Sequence, residues 1–548
     1  MTTAHPTNAQ HKPPLAGRRE KGRRNQPAQR QSSVIEGGAV VALCVAFAFA
    51  TFAASSGQVV YAVGAAACIF AYLVRPSPST TLATTALFLF GLLFHANVTG
   101  RALSVRLTVL MALALSAKVV RQHTKDKAVP LLGVYFIAQT TYLLVSVFIS
   151  PNDYDESYTD RMRDVGVILT TVFMLLMYVG GQLGRRFALG RVRERIDRKP
   201  EFRGYRPSRC LIVVAGASFF NYIAASRSAA SLGILTQVVA LASLLASVIL
   251  AGRVIRGLAS PFETFLTIGV LAIQAVLGLG SGSIYSSVGI AFAGGLLALC
   301  YRRGRQVLWI AMATLPLLLV LNAQKNDFRQ QYWQSYGGSL ESSSALTRGA
   351  SFLTGTTRRI STEGFSSLQG GAARFSTSDS LGFLVDRAPH DFPYWTDGRI
   401  YKQIPWIFVP RVLFPWKPPL NYANQFGREV GIASPADFAT SVNMTPQVEA
   451  YATCGPLCFI AVGGILGSIL GWASVRLRSD NYSDVILGAV LAVSLVGAME
   501  SGAIALVSIA PLTAVIRWLY NWIHPLLPLA SSAGPQNAGG ASTLEGRS

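Results

Sequence analysis

The chain has 548 residues, of which 51% are hydrophobic and only 14% charged, and a formal net charge of +22. Soluble domains are about 25% charged, so this composition excludes an ordinary soluble enzyme and predicts an all-α polytopic membrane protein. A basic balance can mark a nucleic-acid binder, but here the charge follows topology. With the N-terminus inside, inner segments hold 31 Lys and Arg against 10 Asp and Glu, and outer segments hold 17 against 16. That is the positive-inside pattern. Its natural counter-charge is an anionic lipid surface, and no nucleic-acid partner is needed.

Residues 1–33 are polar and basic around Arg18-Arg19-Glu20-Lys21-Gly22-Arg23-Arg24, and are predicted to be a disordered cytoplasmic tail without a cleavable signal. A spanning helix needs about 20 mainly apolar residues. Region 34–322 supplies eleven such runs, near 36–55, 58–74, 80–97, 103–120, 129–149, 165–184, 210–226, 232–251, 261–279, 283–300 and 306–322. Ten Lys and Arg between 185 and 209 mark the inner side, and the acidic turn at Asp153-Tyr154-Asp155-Glu156 marks the outer. Asp153 and Asp155 have a spacing that can hold a divalent cation, but a short acidic outer loop reads more simply as a solvated turn. Gly278-Leu279-Gly280-Ser281-Gly282 follows no strand, so it is not a dinucleotide fingerprint. No P-loop, HExxH or nucleophile elbow occurs, and charges within the apolar runs sit near their ends, which argues against an ion-coupled pump.

Residues 323–451 interrupt this pattern with 129 polar, aromatic-rich positions holding 12 Lys and Arg and 10 Asp and Glu. Eleven spans from an inside start put the segment outside. Region 452–524 then returns to the membrane with three runs (454–474, 483–499 and 502–522), and 525–548 is a second disordered cytoplasmic tail. The expected total is about fourteen spans, twelve at the least. Cys454 and Cys458, four residues apart, are expected on one helix face as small packing residues.

The long segment concentrates the candidate chemistry. Lys325 and Arg329 share a face if the preceding helix continues. Arg411 and Lys417 bracket Val412-Leu413-Phe414-Pro415-Trp416, and prolines 410, 415, 418 and 419 stiffen that piece. A rigid guanidinium and ammonium suit a pyrophosphate, or equally the phosphates of lipid headgroups. Trp406, Trp416 and Tyr422 are candidate sugar-stacking rings, although an interfacial aromatic belt would use the same residue types. His390, beside Asp391, is a candidate base or a surface histidine. Glu449, at the mouth of the next span, is suited to take a proton from a sugar hydroxyl, or to pair with an arginine.

Three pieces, in order, carry a family resemblance: Asn322-Ala-Gln-Lys325-Asn-Asp-Phe-Arg329, then Val409-Pro410-Arg411-Val-Leu-Phe-Pro415-Trp416-Lys417-Pro418, then Thr445-Pro-Gln-Val-Glu449-Ala-Tyr451 with Gly455 following. The chain here resembles bacterial Wzy-type polysaccharide polymerases, which join lipid-linked oligosaccharide repeat units. Two positions depart from that pattern: Trp416 stands where an acidic residue is frequent, and Tyr451-Ala-Thr-Cys-Gly455 replaces an Asn-Phe-Gly. The resemblance implies a GT-C-like glycosyltransferase with one large extracytoplasmic loop in the bacterial inner membrane, both termini cytoplasmic. Donor and acceptor would be undecaprenyl-pyrophosphate-linked glycans. It implies no metal and no other cofactor, because the pyrophosphate lipid is its own leaving group. Lys325, Arg329, Arg411 and Lys417 would neutralise that pyrophosphate, with Arg411, Glu449 and His390 the catalytic set. A chain-length regulator and a flippase are partners such an enzyme would take. A ligase passing finished glycan to another acceptor would share this architecture, but the usual H-x-x-N is missing at Ser441-Val442-Asn443. A flippase or transporter of the same lipid would have shorter loops.

Overall fold

A computed structural model describes residues 102–148, 159–189, 210–217, 233–280, 284–301, 320–325, 344–363, 377–407, 422–431, 444–479 and 481–502, with a few single positions between them. Secondary structure there is helical, with one isolated antiparallel bridge, Ala128 to Arg478. The expected first three spans, the Asp153–Asp155 turn and the fourteenth span lie outside the described residues.

Among the described residues, the N-terminal region contributes α1 (Leu103–Lys125), α2 (Leu131–Phe148), α3 (Asp160–Leu189), α4 (Gly233–Ile255), α5 (Pro261–Gly280) and α6 (Ile284–Cys300). The long segment adds α7 (Ala345–Glu363), α8 (Thr377–Arg387), the single turn α9 (Ile404–Ile407) and α10 (Tyr422–Val430). Then follow α11 (Pro446–Cys454), α12 (Pro456–Arg476) and α13 (Tyr482–Ser501). Among the described residues, four stretches are long and apolar enough to cross a membrane: Leu103–His123, Asp160–Leu189, Pro261–Gly280 and Pro456–Arg476. Leu131–Leu144, Ala242–Ile255, Gly289–Cys300 and Ser483–Gly497 are apolar but shorter.

The broadest contact pairs α3 with α12. Lipid is as apolar as leucine, so membrane helices gain little from hydrophobic burial and rely on close backbone approach. Glycines provide it. A methyl group at Gly180 would overlap the Gly464 carbonyl, one at Gly184 the Ser468 carbonyl, and one at Gly467 the Met177 carbonyl. Ser468 Oγ donates across the seam to the Gly180 carbonyl at 3.0 Å. At one end, the turn after α1 meets the turn after α12. The Val129 amide donates to Leu477 O at 2.8 Å and the Ser479 amide to Lys127 O at 2.7 Å.

Helix starts follow local chemistry. Ser260 Oγ accepts from the Glu263 amide and Glu263 Oε2 accepts from the Ser260 amide, both at 3.1 Å, a capping box just ahead of α5. At the other end of α5, Arg348 of α7 donates to the Gly280 carbonyl at 2.9 Å, placing a cation where the helix dipole is negative.

The long polar segment is not a detached loop. The helix before it runs on through 320–325, where Leu321 packs with Leu279, Phe328, Tyr332 and Phe352. Helix α8 buries Thr377 through Leu384 against α3, α2 and α11. Its close approach again uses glycines: a methyl at Gly382 would overlap the Met162 carbonyl, and one at Gly166 the Ser378 carbonyl. Ser378 and Ser146 hydroxyls meet at 2.8 Å, and Arg163 Nε lies 3.5 Å from Asp379 Oδ2, with side chains only 5% and 9% exposed.

One expectation is overturned. Cys454 and Cys458 form a disulfide rather than serving as free packing thiols. The physical reason is the Gly455-Pro456 corner between them. Gly455 has φ +66, α11 ends at Cys454 and α12 begins at Pro456, so the two cysteines face each other across a bend rather than along one helix. A β-carbon at 455 would stand 2.8 Å from the Tyr394 ring, in a backbone conformation that already favours glycine.

Candidate functional site

Glu449 is the centre of the described polar chemistry. It stands in the first turn of α11, whose residues Pro446 to Ala450 are all buried, and it is itself 0% exposed. Pro446 at the first helical position suits a helix start, since its missing N–H would have had no partner there. Negative charge in that turn is also favoured by the helix dipole. A carboxylate removed from water is nevertheless costly unless the site supplies compensation, which is why such a residue marks a functional site.

Several groups surround it. Tyr401 and Tyr422 both lie within reach of its charge. Burial, and then the Glu449 carboxylate, push the Tyr401 hydroxyl up to about 12 and raise the Tyr422 hydroxyl further still. Thr445 lies one turn before Glu449 on the same face, fully buried, and among the described residues its hydroxyl has no hydrogen-bond partner. The Tyr401 hydroxyl faces the side chain of Thr453, and among the described residues both ends of the Gln447 amide lack hydrogen-bond partners. Thr453 Oγ1 donates to the Glu449 carbonyl at 2.9 Å. Gly502, just past α13, presents its backbone to Glu449 Oε2.

Aromatic contacts tie this helix to its surroundings. Tyr394, Tyr451, Phe459 and Phe173 form a chain of rings at centroid spacings of 6.0, 6.2 and 5.1 Å, running from the long segment to α3. Burial and the neighbouring Tyr394 push the Tyr451 hydroxyl up to about 12. The Trp395 amide donates to the Ala452 carbonyl at 2.8 Å, fixing the turn after α8 on α11. Phe426 meets Phe392 and Trp395 edge-on, and those two rings are tilted against each other, all at centroid spacings of 5.8 Å.

A second glutamate shows what a structural role looks like in the same segment. Glu429 of α10 accepts from Trp395 Nε1 at 2.7 Å, Gln425 Nε2 at 2.6 Å and Arg399 at 3.1 Å, and its side chain is 37% exposed. It is a partly solvated ion-pair partner, whereas Glu449 is sealed from solvent.

The predicted site residues distribute as follows. Tyr422 is buried beside Glu449. Trp406 and Trp416 are linked edge-to-face through Phe414 at 6.4 and 5.4 Å, with Trp416 72% exposed. His390 is exposed on the turn after α8, and no described contact joins it to Glu449. Lys325 is half-buried on the helical run 320–325. Arg329, Arg411 and Lys417 lie outside the described residues. Among the described residues, no group of three His, Cys, Asp or Glu side chains comes together. The sequence reading missed Gly502, Tyr401 and the Arg163–Asp379 pair. Only Tyr401 carried a signal, as an aromatic in the segment already singled out. No family model, curated protein or solved structure matches the chain.

Proposed function

We propose that this chain is a metal-independent membrane glycosyltransferase that joins oligosaccharide repeat units carried on undecaprenyl pyrophosphate. The observation that carries the reading is the fully buried Glu449 in the first turn of α11, close enough to the Tyr401 and Tyr422 hydroxyls for its charge to raise both. In the reaction, Glu449 takes the proton of an acceptor sugar hydroxyl. That oxygen attacks the anomeric carbon of the donor glycan, and the bond from that carbon to the pyrophosphate oxygen breaks. The leaving pyrophosphate takes the electron pair, and Arg411, Lys417, Lys325 and Arg329 neutralise its charge. Trp406, Trp416 and Tyr422 stack on sugar rings, and His390 is the alternative base. Two lipid-anchored substrates meeting in one plane gain much of the rate from proximity.

The fourteen-span, GT-C-like architecture with cytoplasmic termini belongs to the same proposal. The Cys454–Cys458 disulfide supports its orientation, because disulfides persist on the oxidising, extracytoplasmic side. The lipid-linked glycans of a deletion strain test the reading. Single repeat units left on the carrier are expected. Finished polymer on the carrier would mean a ligase, and accumulation at the cytoplasmic face a flippase.

A further inference from the structure

We infer that Gly502, at the end of α13, is a positioning residue that seats the Glu449 carboxylate, an assignment resting on the role of Glu449 given above. Gly502 is the first residue beyond α13 and has φ +87. A β-carbon built there would overlap Glu449 Oε2, stand 3.0 Å from its Cδ and stand 3.2 Å from the Met444 carbonyl. Two separate demands therefore meet at one glycine. The backbone angle disfavours any β-carbon, and the carboxylate occupies the space that a β-carbon would need. The first demand is common where helices end. The second is not, because a helix cap needs no carboxylate from another helix, 53 residues earlier in the chain, resting on it.

This makes α13 part of the site. Glu449 is carried by α11, its charge is felt by Tyr401 before α9 and Tyr422 on α10, and its Oε2 lies on the backbone leaving α13. A side chain at 502 must displace the carboxylate. Misplacement by about 1 Å costs on the order of 100-fold in rate when a reacting group is held in geometry.

The test measures turnover in membrane vesicles, using lipid-linked repeat units extracted from the deletion strain. Gly502→Ala is expected to lower kcat about 100-fold with little change in KM. Gly502→Asn is expected to fall as far, since asparagine tolerates positive φ but still brings a β-carbon. Combining Gly502→Ala with Glu449→Asp, whose shorter side chain vacates the space, should return activity to that of Glu449→Asp alone. Wild-type turnover in Gly502→Asn, or losses that simply multiply in the double variant, would overturn the inference. If Gly502→Ala does not accumulate folded, Glu449→Ala in the same chain should restore folded yield, and failure to do so also counts against it. Wild-type turnover in Glu449→Ala alone would sink the role of Glu449, a separate result. The folded-yield pair then still decides the contact.

Discussion

The α3–α12 seam and the surroundings of α11 solve opposite problems with adjacent stretches of chain. Along the seam, glycines at 180, 184 and 467 let backbone touch backbone, and most of what meets is apolar or small. Around α11, the chain instead buries a carboxylate, a carboxamide and a hydroxyl in helix positions that could have held leucine. The seam gives up side chains to gain closeness. The α11 region keeps polar groups out of water, an arrangement that costs stability unless it is compensated and that marks a candidate functional site. The disulfide and the Gly455 corner join the two, so that the rigid element holds the costly one in place.

Substitutions in the two regions should therefore fail differently. The largest effect is expected from Glu449→Gln, which should lower glycan transfer by about 10²- to 10⁴-fold. Folded protein should remain at the wild-type level, which quantified polymer length and detergent-extracted yield would check together. A parallel loss of yield would make Glu449 structural and erase the contrast. Next comes the Arg163–Asp379 pair, which belongs to neither region but joins α8 to α3. Asp379→Ala leaves a buried guanidinium uncompensated, and a destabilisation of about 3–5 kcal/mol is expected. Replacing both partners with Met and Leu should recover most of it, measured by thermal unfolding in detergent. Gly467→Ala tests the seam, where a methyl must push against the Met177 carbonyl. It should cost about 1–3 kcal/mol, with transfer per folded molecule unchanged. The smallest effect is expected for Arg399→Ala. This arginine, 33% exposed, bridges Asp397 and Glu429, and its loss should change stability by less than about 1 kcal/mol.

The long apolar helices were legible because hydropathy needs only local composition: α1, α3, α5 and α12 fall on four of the predicted runs. Glu449 was legible for a similar reason, as a lone carboxylate next to an apolar stretch. What escaped depends on pairs far apart in the chain. Asp379 reads as an ordinary loop acid until α8 is placed against Arg163, 216 residues earlier. Gly502 reads as one small residue in an apolar run until Glu449 is seen resting on it. The cysteine pair failed differently. Its spacing was read as helical, although the intervening Gly455-Pro456 already announced that the helix breaks there. The continuation of the helix before the long segment was open in the sequence, since the shared face of Lys325 and Arg329 was conditional on it.

The clasp between the turn after α1 and the turn after α12 has a consequence for biosynthesis. Its two strands of backbone, around Ala128 and Arg478, are separated by ~350 residues. At about 5–20 residues per second, translation needs roughly 20 to 70 s to cover that interval. Throughout it the hairpin of α1 and α2 waits in the membrane with its partner still unmade. Val129 must hold its amide for Leu477 rather than settle with an earlier neighbour. The order of synthesis thus makes α12 the late keystone: the bundle can close only when the helix that carries the seam, the corner and the clasp arrives.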